Sequence, residues 1–416
     1  MNKLDVYLCS GVTPGAAFPG GDPRGRLVGT LAEAERRLYF EYDAEFLEDP
    51  LWLSPFKLPP EPGLHEHRDL AFGPLFGLFD DSLPDGWGLL LMDRYFRRQG
   101  VALDAVSPLD RLAYLGMRTM GALSYTPPAE VADMDSRALG LQDMAREAYL
   151  VLDGKGEDVL PQLLRAGGSP GGARPKVLVG VRDDDMVSGE DTLPEGYTGW
   201  MVKFHSRQDA EDEGRIEYAY SQMAGEAGIE MPPTRLFMTR QGDAFFGVER
   251  FDREGNRRRH VHTFGNLIHA NFRVPNCDYE MLLNVTRVLT KNATDVASAF
   301  RLMVFNILTH NRDDHVKNFA FVLSSDGDWR LAPAYDLTFS PGPGGEHTMT
   351  VAGEGRSPAL EHVLRIADSA GIEDAPARRI IDEVTQAVNA WPRHADAAEL
   401  DSGRARRIRA AFLSLG

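Results

Sequence analysis

Apolar and polar residues alternate with a period of two at Leu38, Phe40 and Tyr42, and a short apolar run covers residues 7–9; both predict strands. The spacing changes at residues 89–96, where apolar positions recur at helical intervals just after the turn Leu83-Pro84-Asp85-Gly86. A stretch of low apolarity, TPPAEVADMDSRALG at 126–140, reads as a linker. Beyond it, the β-branched run 176–181 and the segment Trp200-Met-Val-Lys-Phe204 predict two strands joined through an acidic turn. Ile216, Tyr220, Met223 and Ala227 then line one face of a helix over 213–227. Strands at 234–238 and 244–250 follow, separated by the turn 240–243, which completes a β-β-α-β-β lobe. Residues 278–291 and 294–310 carry helical periodicity and end in the polar loop 311–318. Short strands are predicted at 319–323 and 329–331, and helices from about 357 to 414. The predicted class is α+β: a mixed N-terminal subdomain (1–125), a linker (126–145), a strand lobe with a Gly-rich loop (146–252) and a helical lobe (253–416).

Composition narrows the function. The chain has 416 residues, 43% hydrophobic and 26% charged, the balance of a globular protein. Its 45 Lys+Arg against 62 Asp+Glu give a net charge of −17, which opposes a broad face that tracks nucleic-acid phosphates. Two cysteines, Cys9 and Cys277, are too few for a disulfide framework or a metal knuckle and suit a reducing cytoplasm. No export signal and no membrane span is expected.

Candidate chemistry centres on Asp313, followed five residues later by Asn318 and, after the strand pair, by Asp336. Phosphoryl transfer to a hydroxyl needs a carboxylate to accept the proton of the nucleophile and oxygen ligands to hold Mg²⁺ against phosphates. Upstream, Lys203 interrupts the apolar strand Trp200-Met-Val-Lys-Phe204, and Glu217 lies on the next helix; a strand lysine oriented by a helix glutamate is a kinase arrangement. The loop GGSPGGARPK at 167–176 carries four glycines whose backbone N–H groups suit an anion, although it is not a Walker A sequence.

Six ordered motifs together resemble the HipA family of bacterial serine/threonine kinases, the toxin components of toxin–antitoxin pairs. They are Phe79-Asp-Asp-Ser-Leu-Pro-Asp85, the loop 169–176 with the strand around Lys203, Glu217-Tyr218, Val248-Glu-Arg-Phe-Asp-Arg253, Asp313-Asp-His-Val-Lys-Asn318 and Ala332-Pro-Ala-Tyr-Asp336. The resemblance implies a bilobed protein-kinase-like core with an ATP cleft between the lobes. It makes Asp313 the catalytic base, Asn318 and Asp336 the Mg²⁺ ligands, Ser169 an autophosphorylation site and Glu217 a supporting residue. ATP contacts would come from Gly171, Gly172, Ala173, Arg174, Pro175, Lys176, Lys203, Glu249, Arg250, Phe251, His315, Val316, Lys317, Asn318, Tyr335 and Asp336. The implied partners are a protein substrate, with an aminoacyl-tRNA synthetase as the family's target, and a HipB-like helix-turn-helix antitoxin that brings DNA in indirectly. Asp336 is followed by Leu337-Thr338 rather than Phe-Gly, which separates the chain from eukaryotic protein kinases.

Three other readings compete. His310, Asp313, Asp314 and His315 form a metallohydrolase-like cluster, a small-molecule kinase shares the Asp-Asn-Asp set, and an inactive module would act only by holding an antitoxin. His65 and His67 are expected to be solvent-exposed in a Pro-rich loop, and the runs 183–185 and 257–259 to be solvated turns. Arg404, Arg406, Arg407 and Arg409 are expected on one helix face.

Overall fold

The computed structural model describes residues 2–9, 25–129, 140–154, 163, 172–189, 192–205, 212–239 and 242–415. Ser169, Gly171 and most of the 126–140 segment lie outside them. The N-terminal unit is built on β1 (Lys3–Leu8), β2 (Arg26–Ala34), β3 (Arg37–Tyr42), β4 (Leu64–Glu66) and β5 (Leu123–Thr126), in the antiparallel order β4-β3-β2-β1-β5. Its helices are α1 (Ala44–Glu48), α2 (Gly77–Asp80), α3 (Gly86–Arg98) and α4 (Pro108–Leu115). Leu4, Val6, Val28, Leu31 and Phe40 bury one face of the sheet. The sequence pattern missed β2 because small residues dilute its alternation. One of them, Gly29, is required: a Cβ there would lie 2.2 Å from the Glu41 carbonyl oxygen. His67 is buried rather than exposed, packed against the rings of Phe76 and His269, whereas His65 sits on the edge strand β4.

Helix α5 (Leu141–Leu152) begins inside the predicted linker, so a boundary at 145 divides an element. The strand lobe follows, with β6 (Lys176–Arg182), β7 (Asp185–Ser188), β8 (Thr198–Lys203), α6 (Glu213–Glu226), β9 (Thr234–Met238) and β10 (Ala244–Glu249), in the order β7-β6-β8-β10-β9. Strand β7 emerges from the acidic stretch expected to be a turn. Only its first residues turn, with Asp183 at φ 55°, and the chain then pairs back on β6. Register gives this sheet two different faces. Val177 faces Val202 and Val179 faces Trp200, and these side chains pack on Trp87, Leu91 and Met92 of α3 and on Met144 and Ala148 of α5. The alternate positions on the opposite face include Lys176 directly opposed to Lys203. A one-residue slip would bury both lysines in the apolar core.

The last part of the chain is not purely helical. It contains the small ribbon β11 (Arg253–Glu254) and β12 (Arg257–Arg258), and the sheet β13 (His260–Thr263), β14 (Ala320–Leu323) and β15 (Trp329–Leu331). Around them stand α7 (Phe264–Ile268), α8 (Tyr279–Thr290), α9 (Ala293–Leu308), α10 (Leu360–Ser369), α11 (Asp374–Asn389), α12 (Trp391–Ala397) and α13 (Ser402–Ala411). Arg258, expected in a solvated turn, is buried and donates to the Met117 carbonyl of the N-terminal unit. Helix α6 joins the lobes: Ile216, Tyr220 and Met223 share a core with Phe300 and Phe305 of α9. The Tyr220 hydroxyl donates to the Thr309 carbonyl at 2.6 Å, beside the catalytic-loop candidate.

The N-terminal unit is clamped onto this core by Asp81. Its carboxylate accepts from the Thr263 backbone N–H (2.8 Å), the Thr263 hydroxyl (2.7 Å) and the Asn266 amide (2.7 Å), and it pairs with His262 Nδ1. His262 Nε2 contacts Ser54 Oγ at 3.0 Å. Ser54, His262 and Asp81 thus have the order of a hydrolase triad, but Ser54 is fully buried, so the set is a clamp.

Candidate active site

The site is assembled where β8, α6 and the loop after β15 converge. Lys203 ends the central strand β8, not an edge strand, and its ammonium lies between two carboxylates, Glu217 Oε1 of α6 and Asp336 Oδ1. Three sequence-distant residues thereby meet at one nitrogen. Burial opposes the Lys203 charge, but Asp336 and Glu217 outweigh it and hold the ammonium well above its ordinary range. Asp336 shows the reverse: burial pushes its carboxyl up, but Lys203 and then Lys176 hold it well below the usual carboxylate range. Burial pushes the Glu217 carboxyl up, with Lys203 opposing. Asp336 also adopts φ 59°, a left-handed conformation that Asp tolerates better than most residues and that is found at functional turns.

Lys176 forms the second cationic point. Desolvation brings its ammonium down to about 8, Asp336 resisting and Lys203 adding to the fall. Gly172 has φ 95°, a backbone conformation that favours glycine, and its lack of a side chain leaves room for the Lys176 ammonium beside the loop. The root of the loop is held by the N-terminal unit. The Trp87 backbone N–H donates to the Gly172 carbonyl and its Nε1 to the Lys176 carbonyl, both at 3.0 Å, while the Asp85 carboxylate accepts from the Gly172 N–H.

On the helical side, Asp313 opens to solvent at the mouth of the cleft. Enough protein surrounds it that lost hydration is the leading cause holding its carboxyl above the ordinary range; His315 opposes, and Asp336 and Asp314 add to the rise. Asn318 Nδ2 donates to the Asp313 carbonyl at 2.7 Å, which aims the amide oxygen away from that carbonyl. A buried network fixes the loop beneath. Asp314 accepts from the Tyr279 hydroxyl (2.7 Å), His347 Nδ1 (2.7 Å) and the Thr348 N–H (2.8 Å), while Arg312 donates to the Arg356 carbonyl (2.6 Å). With Asp314 so engaged, the metallohydrolase cluster does not form; among the described residues no three His, Cys, Asp or Glu side chains gather to hold a metal. The Asp336 carboxylate and the Asn318 amide oxygen are hard oxygen donors of the kind Mg²⁺ takes beside substrate phosphates.

Not every expected contact faces the cleft. Lys317 turns its ammonium to Asp80 of the N-terminal unit at 3.0 Å, Arg250 pairs with buried Asp252 at 2.7 Å, and the Val316 side chain is buried. His315 caps the short turn Val316–Asn318, its Nδ1 accepting from the Lys317 N–H at 3.2 Å. The strand lobe joins the helical lobe after Glu249, and there Phe251 stacks on Tyr335 with ring centroids 5.6 Å apart, forming an apolar wall. Sequence reasoning passed over Asp85 and Trp87 as loop anchors, and also Glu213, whose only sequence signal is its position one helical turn before Glu217.

Known proteins share this architecture. Residues 24–126 match the model of the HipA N-terminal domain, and residues 168–391 match that of the HipA-like C-terminal domain. A Sinorhizobium fredii protein named "Putative kinase Y4dM" is 28% identical over 172 residues, 37% of this chain and 41% of that protein; the match therefore spans less than half of that relative. The HipA chain in a structure of the Shewanella oneidensis MR-1 toxin–antitoxin system HipA, HipB and its operator DNA complex has a TM-score of 0.70 at 16% identity. That likeness covers 97% of this chain and 94% of the other, and it shows a common fold.

Proposed function

The chain belongs to the HipA family, and from that premise we propose that it is an ATP- and Mg²⁺-dependent serine/threonine protein kinase acting as a HipA-like toxin. The observation that carries this reading is the convergence of Glu217 and Asp336 on Lys203, which links the strand lobe to the acid beyond the catalytic loop. Lys203 and Lys176 would neutralise ATP phosphates, and Phe251 with Tyr335 would flank the adenine beside the backbone of Glu249 to Phe251. Asp313, its carboxyl raised mainly by lost hydration, would accept the proton of the attacking hydroxyl. Asn318 and Asp336 would hold Mg²⁺, which when bound screens the charge that builds on the phosphate oxygens.

The loop serine, Ser169, lies outside the described residues and is proposed as the self-modification site; a phosphate there would repel those of ATP. An antitoxin of the HipB kind is the proposed partner, since the Shewanella structure is a complex with HipB and operator DNA. The net charge of −17 opposes a grip on DNA by this chain itself and favours contact through the partner. Release of ADP with Mg-ATP and a protein substrate tests the reading. Wild-type protein should turn over ATP and Asp313→Ala should lose about 10³-fold or more; equal rates in the two proteins would reject the assignment.

A further inference from the structure

Helix α6 begins with Glu213, and Glu217 follows one turn later, so the two carboxylates share a helix face. Each holds a cation. Glu217 takes Lys203, and Glu213 Oε2 takes Arg174 Nη2 of the Gly-rich loop at 3.0 Å. The other oxygen, Glu213 Oε1, takes Arg404 Nη2 of α13 at 3.3 Å. Glu213 is only 12% exposed, so among the described residues it joins two arginines in a partly buried network rather than an isolated surface pair. Arg174 is fixed along the backbone as well. It lies between Gly172, tied to Asp85 and Trp87, and Pro175, whose carbonyl accepts from the Phe204 N–H at 2.8 Å. Its charge is felt at the carboxyls of both Asp313 and Glu217, on opposite sides of the cleft.

We propose that Arg174 contacts the phosphoryl group in flight, that Glu213 is its positioning residue, and that Arg404 braces Glu213 from the C-terminal helix; the inference rests on the kinase reading. Arginine suits this place because its planar fork matches two phosphate oxygens at once, and charge spreads over those oxygens in the transition state. A carboxylate on one nitrogen sets the plane of the fork before substrate arrives, which is the preorganisation that electrostatic catalysis needs. One helix therefore orients the strand lysine and the loop arginine together. The C-terminal helix is coupled to the cleft through Arg404, so this member of the arginine run has an acidic partner within the chain.

The test is steady-state phosphoryl transfer at varied ATP by wild type, Arg174→Ala, Arg174→Lys, Glu213→Gln, Arg404→Met and the double variant Arg174→Ala/Glu213→Gln, with melting curves for each. Arg174→Ala should lower kcat by about 10²-fold or more while changing KM for ATP by less than about threefold, and Arg174→Lys should restore less than about a tenth of the loss. Glu213→Gln and Arg404→Met should each lower kcat about 5- to 20-fold, and Glu213→Gln should add nothing once Arg174 is gone. Arg174→Ala within about threefold of an active wild type, or losses that multiply in the double variant, overturns this inference alone. A wild type that transfers no phosphate overturns the kinase reading and this inference with it.

Discussion

Lys203→Met isolates the electrostatic centre of the site. The substitution keeps an unbranched chain in β8 but removes the charge shared by Glu217 and Asp336. Glu217 has a side chain only 4% exposed and is left buried beside another acid, while Asp336, 38% exposed, recovers water. Breaking a buried pair by deleting one partner costs about 3–5 kcal/mol, and the partial exposure of Asp336 sets the expectation at the lower end, about 3 kcal/mol. For 416 residues melting as one cooperative unit that is about 3–4 °C in Tm. Adding Glu217→Gln removes the orphaned charge and should return about 1–2 kcal/mol, because the two positions are coupled rather than independent. Thermal and urea unfolding of wild type, both single variants and the double variant complete the cycle. A Lys203→Met protein within about 0.5 kcal/mol of wild type, or a second substitution that adds its own cost, would refute the argument.

Trp87 is 1% exposed, packs in the core beneath the strand lobe and bonds the Lys176 carbonyl, so Trp87→Ala should cost about 3–5 kcal/mol in urea unfolding and weaken ATP binding. Burial holds His260 down to about 4, with neighbouring His262 adding to the fall. The unfolded chain therefore takes up the proton first, and its stabilisation is complete above about pH 6.5 and lost as pH falls towards 4, by about 3 kcal/mol at most. His260→Leu should flatten that part of a Tm-against-pH curve. Because lost hydration raises the Asp313 carboxyl, the acid limb of kcat/KM should fall at a pH above that of an ordinary aspartate, and a limb below about 3.9 would contradict its role as base.

The elements legible in the sequence are those with sustained periodicity. The runs around β6, β8, β10, α8 and α9 appear where apolar spacing predicts them. The catalytic-loop candidate was legible because its polar residues crowd a helix end where packing does not demand them. Strand β2, with its small residues, and the short edge strands β4 and β7 carry too little hydrophobic signal. The side chain of Lys203 was conspicuous, but its place on the central strand and its two carboxylate partners depend on strand order, which no local pattern encodes. Arg404 and Glu213 lie 191 positions apart, and their pairing follows only from the tertiary fold, in which α12 packs on α6 and carries α13 beside it.

Intact mass before and after incubation with Mg-ATP, on protein made without a partner, tests the central claim most directly. The wild type should gain phosphate, mapped to Ser169, and the Asp313→Ala protein should gain none. A wild type that binds the nucleotide yet gains no phosphate, on itself or on any added protein, would contradict the account.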